Sequence, residues 1–122
     1  MKATQSMSAL PANGVLVIKE GMMNRLFFDF TPHVNPNEEE IPNLYDCENI
    51  DVLGSSNSAI VNAIMVDRYP SDKVQAVLLN YQDALDATSD ITDEKRAEYL
   101  AEYNDMQAYR KYAKSIAQTV IG

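Results

Sequence analysis

Apolar positions along this chain keep two different periods, and the change falls near residue 54. Before it, the run Val15-Leu16-Val17-Ile18-Lys19 is short, β-branched and bounded by Gly14 and Gly21, which predicts a strand. Glu20-Gly21-Met22 predicts the turn of a hairpin, with Gly21 free to take a positive φ. The return strand is expected over 23–31, with Leu26, Phe28 and Phe30 on one side and Arg25, Phe27 and Asp29 on the other. Pro32 is expected to end it, and 32–43, with three prolines and Glu38-Glu39-Glu40, reads as a solvated loop. A third strand over 44–52 alternates less cleanly, setting Tyr45, Cys47, Asn49 and Asp51 against Leu44, Asp46, Glu48, Ile50 and Val52.

Beyond Gly54 and its serine-rich sequel the spacing becomes helical. A helix over 59–69 groups Ile60, Ala63 and Ile64, with Val61 and Met65 widening the face. Pro70 stops it, and Ser71 is expected to cap the next helix. That second helix, about 72–87, carries Val74, Val77, Leu78, Tyr81 and Leu85 at three-and-four spacing. The connector Thr88-Ser89-Asp90-Ile91 is short, so the second and third helices should be antiparallel neighbours. The third, about 92–120, has Thr92 as a cap and Asp93 and Glu94 in its first turn, where the helix dipole favours negative charge. Its stripe runs through Tyr99, Tyr103, Met106, Tyr109, Ala113, Ile116 and Val120. At about 1.5 Å per residue this helix exceeds about 40 Å. A domain this small is not expected to cover it, so Tyr99, Tyr103, Met106, Tyr109, Ile116 and Val120 form the candidate interface.

These elements predict an α+β fold: a small N-terminal antiparallel β-hairpin or sheet, then three helices, the last forming an antiparallel hairpin with the second. Residues 1–13 read as an N-terminal arm, 14–54 as the β region with its acidic, proline-rich loop, and 55–122 as the helical region, all within one domain.

Composition narrows the class. The chain has 122 residues, 46% of them hydrophobic, which is enough to build a core and argues against disorder throughout. Ten Lys and Arg stand against eighteen Asp and Glu, a net charge of −8 that disfavours nucleic acid and anionic membranes as partners. Cys47 is alone, so no intrachain disulfide framework is expected. No apolar run approaches the roughly 18 residues of a transmembrane helix, and the first residues lack the apolar core of a signal peptide.

Chemistry-bearing patterns are sparse. His33, beside Pro32, reads as an exposed loop residue. Cys47 reads as a small buried side chain, with Asp46 and Glu48 opposing a thiolate. Three adjacent glutamates lack the spaced oxygens and glycine of a calcium loop, and the isolated glycines build no phosphate cradle. No enzyme, cofactor or metal site is expected. Five tyrosines, Tyr81, Tyr99, Tyr103, Tyr109 and Tyr112, sit in the last two helices, where such rings suit helix seams and protein interfaces.

The helical half resembles small virion- or tail-associated proteins of Bacteroidales phages and prophages. The residues carrying the resemblance are Ser58-Ala59-Ile60-Val61-Asn62-Ala63-Ile64 with Asp67-Arg68-Tyr69, and Asp72-Lys73-Val74-Gln75-Ala76-Val77 with Asn80-Tyr81. Glu98-Tyr99-Leu100-Ala101-Glu102-Tyr103, then Met106-Gln107-Ala108-Tyr109-Arg110-Lys111 and Ala113-Lys114, complete it, so that it covers roughly 45–121. The resemblance implies a non-enzymatic structural or accessory protein of the virion or tail, made in the host cytoplasm, whose partners are itself or other phage structural proteins. The alternative is a transient assembly factor or chaperone for a larger tail protein. No catalytic residues travel with it.

Overall fold

In the computed structural model, which describes residues 1–121, seven elements follow in order. They are β1 (Lys2–Ser6), β2 (Leu16–Glu20), β3 (Met23–Val34), β4 (Glu40–Leu53), α1 (Asn57–Arg68), α2 (Ser71–Leu85) and α3 (Asp93–Ile121). The strands form one antiparallel sheet in the order β1-β4-β3-β2, and the class is α+β. The β2–β3 hairpin turns through Gly21, whose φ of +64° is the left-handed conformation a glycine adopts without a side-chain clash.

Three features of the sheet depart from the sequence reading. Residues 2–6, expected in a free arm, pair with β4 from Lys2 opposite Glu48 to Ser6 opposite Leu44. The expected loop over 32–43 shrinks to 35–39, because β3 continues through Pro32 to Val34 and β4 starts at Glu40. Pro32 is tolerated because it faces Tyr45 where the register slips, so no regular ladder asks for its missing N–H. The remaining turn is closed by Asn35, whose Oδ1 accepts the backbone N–H of Asn37 at 2.9 Å and of Glu39 at 3.0 Å.

The third departure is a bulge. Phe28 faces Glu48 while Thr31 faces Asp46, so β3 carries one extra residue there, and Asp29 takes a φ of +58°. An extra residue reverses the side that the following positions face. Leu26 and Phe28 therefore enter the core as expected, whereas Phe30 is half-buried and outside that cluster.

The core sits between one face of the sheet and two helices. Leu26, Phe28, Ile50 and Val52 meet Ile60 and Ile64 of α1 and Ala113, Ile116 and Ala117 of α3. Ser56, not one of the helical residues, caps α1 by accepting the Ala59 N–H at 3.2 Å. Ser71 is the first residue of α2 rather than its cap; Pro70 occupies that position and makes no side-chain cap bond. Thr92 caps α3 as expected, accepting the Lys95 N–H at 3.1 Å. Arg96 closes the hairpin by donating to the carbonyls of Ala84 and Asp86 at the end of α2, where a cation suits the dipole.

Truncating Ile64 to Ala removes a fully buried side chain from the centre of this core. The expected loss is about 2–5 kcal/mol, read as a lower urea midpoint with an unchanged slope.

Candidate functional site

The six residues expected at an interface all lie on α3, and none is exposed. Met106 and Ile116 are buried, and Tyr109 and Val120 pack against the core. The Tyr103 ring stacks on Tyr81 of α2 with centroids 3.7 Å apart. Tyr109 lies 5.8 Å from Tyr69 and 6.1 Å from Tyr112, with the Arg68 guanidinium 4.2 Å above its ring. Tyr99, half-buried, has the Lys95 ammonium 5.5 Å from its ring. The long helix is covered after all, because it has two partners in sequence: α2 meets its first half, and α1 with the sheet meets its second.

Charged groups converge where the sheet meets the helices. Glu48 of β4 is only 9% exposed, yet its carboxylate accepts from Lys2 Nζ at 2.7 Å and from the Met1 amine at 3.0 Å. The same amine donates to Asp67 of α1. Burial acts to raise the Glu48 pKa, but the bonds and charges of Lys2 and the amine outweigh it and hold the carboxyl below the usual range. On the other side of the corner, the bulge turns Asp29 toward α3, where it accepts the Tyr112 hydroxyl. Burial, and then the Asp29 bond and charge, push the Tyr112 pKa well up, so this phenol stays protonated as a donor. Sequence reasoning missed this network, since its members come from β1, β3, β4, α1 and α3 and no local spacing joins them.

The two residues first considered for chemistry lie in strands. His33 is not in a loop: it sits near the end of β3, half-buried, with Nδ1 2.7 Å from Asp46 Oδ1. Thr4 donates to the same oxygen at 3.1 Å, and the His33 bond leads in keeping the Asp46 carboxyl low. Cys47 is buried in β4; burial, then Asp46 and Glu48, raise its pKa and keep it a thiol. Among the described residues no group of three or more His, Cys, Asp or Glu is placed to hold a metal ion, and no helix is long and apolar enough to cross a membrane.

Apolar side chains are exposed at several places, including Met22, Leu53, Val66 and Ile121, and two groups of them fall on a single element each. At the β2 edge, Val17 and Ile18 are 36% and 37% exposed, beside a groove of about 350 Å³ lined by Val17, Leu26, Ile60 and Val120. On α2, only Val77 and Ala84 are buried, while Leu78, Leu79 and Leu85 are 40%, 64% and 63% exposed. Leu78 and Leu85 were expected on the packed face. The apolar stripe of α2 is wider than the seam that α3 covers, and Leu79, off that stripe, was the available signal.

A pH series tests the corner network. Glu48 has a lowered pKa in the folded state, so its contribution is present above the ordinary glutamate value, about 4.3, and fades as pH falls through the folded value. Glu48→Gln should therefore be less stable than the parent near neutrality, with the gap narrowing below about pH 4 in denaturant titrations. A gap that stays constant with pH would place its cause in packing rather than charge.

Comparisons with known protein families, with curated proteins and with solved structures gave no match.

Proposed function

We propose that this chain is a non-enzymatic phage structural or accessory protein, associated with the virion or tail, that acts through contacts with copies of itself and with other phage proteins. The observation that carries this reading is the open β2 edge. Among the described residues β2 pairs only with β3, so the outer row of backbone groups along Leu16–Glu20 has no strand partner there. A free edge of this kind accepts another strand by β-augmentation. Val17 and Ile18 project to opposite faces there, and the adjoining groove offers an apolar seat for a side chain of the added strand. The resemblance of the helical half to virion-associated proteins supports the setting.

A transient assembly factor is the second reading, favoured by the concentration of acidic residues in the α2–α3 hairpin. Protein analysis of purified particles separates the two, since a structural component stays with them and an assembly factor does not.

Light scattering behind size exclusion should show a mass that is a multiple of 13.6 kDa. Ile18→Glu should return it to the monomer with the helical circular dichroism unchanged. A monomer at every concentration, or an oligomer indifferent to Ile18→Glu, would remove the β2 edge as the self-contact.

A further inference from the structure

The outer face of α2 is a second surface, on a different element from the β2 edge and with a different electrostatic character. Residues 71–105, which hold α2 and the first part of α3, carry nine acids and three cations, a net charge of −6 within the chain's −8. All three cations already have partners within the chain. Lys73 lies 4.9 Å over the Tyr69 ring, Lys95 pairs with Glu98 at 3.5 Å, and Arg96 holds the carbonyls at the end of α2.

Helical spacing places the leucines against these acids. Leu78 and Leu85 are seven residues apart and share a face, with Gln82 between them. Leu79 is joined to that face through Gln82, Asp72 and Asp83 lie along its other flank at offsets of minus seven and plus four, and Asp86 caps the C-terminal end of the helix. An apolar strip is thus bordered by carboxylates that form no salt bridge among the described residues, Asp83 accepting from the Ser89 hydroxyl and Asp86 from Thr88. Phosphate backbones and anionic lipid are repelled by such a border. A helix with apolar residues on one side and Lys or Arg beside them meets both parts of the surface.

We propose that the outer face of α2 docks a basic amphipathic helix of another protein, its apolar side on Leu78, Leu79 and Leu85 and its cations toward Asp72, Asp83 and Asp86. This contact is independent of strand addition at β2, so one can hold without the other.

The test uses the full chain and a fluorescently labelled amphipathic Leu/Lys peptide, with a Leu/Glu peptide of the same pattern as the charge-reversed control. The Leu/Lys peptide should bind, more weakly as salt rises from about 0.05 M to about 0.5 M, and the Leu/Glu peptide should not. The triple variant L78Q/L79Q/L85Q keeps every charge and alters only exposed positions; it should bind at least about tenfold more weakly. Ile18→Glu should leave peptide binding unchanged. Equal binding by the triple variant would reduce the interaction to unspecific charge attraction and overturn the proposal. So would equal binding of the two peptides, or no binding of the Leu/Lys peptide. Self-association abolished by the triple variant would give this face to a second copy, and would overturn it as well.

Discussion

The packing of α3 against one face of the sheet and against α1 is the contact on which the rest of the architecture depends. Ala113 and Ala117 are fully buried there, and side chains this small let the helix close down until Ile116 reaches the layer formed by Leu26, Phe28, Ile50 and Val52. Ile60 and Ile64 of α1 fill the rest of that layer. Once the second half of α3 is fixed in this way, its first half must extend beyond the sheet, since 29 residues span about 43 Å at 1.5 Å each. Helix α2 then has one surface to fold back on, and the Tyr81–Tyr103 stack and the Arg96 clamp hold it there.

Much of this was legible in the sequence, and the parts that were not share a physical cause. Periods of two and of about 3.6 identify β2, the core of β3 and β4, and all three helices, because burial on one face leaves that imprint. Strand β1 leaves none: Lys2, Thr4 and Ser6 are exposed, and its place in the sheet comes from backbone pairing with β4. Pro32 and Pro42 disguised long strands as a loop, since a proline signal cannot tell an irregular ladder from no ladder. The positive φ at Asp29 shifted Phe30 out of register, and nothing in Phe28-Asp29-Phe30 announces a bulge. The Glu48, Asp67 and Asp29 contacts join residues separated by 46, 66 and 83 positions, beyond the reach of any spacing rule.

The stripe expected at an interface is packed against other elements of the same chain. A stripe on a long helix shows that something covers it, but not what. Here α2, α1 and the sheet do so in turn, and the apolar side chains left exposed include those of the β2 edge and the outer face of α2. Two ionisable groups with shifted pKa values join elements distant in sequence: Glu48 ties to Lys2 of β1 and to the Met1 amine, which also bonds Asp67 of α1, and Tyr112 of α3 donates to Asp29 of β3. They act as latches between distant elements.

Native-state hydrogen exchange on the dilute, monomeric protein tests most directly whether α3 is closed within one chain. Amides over 106–117 should open only with global unfolding, at the same free energy as those of Leu26, Phe28, Ile50 and Val52. Opening of α3 at a distinctly lower free energy, with protection that grows as protein concentration rises, would mean that another copy completes the stripe, and would contradict the intramolecular packing described above.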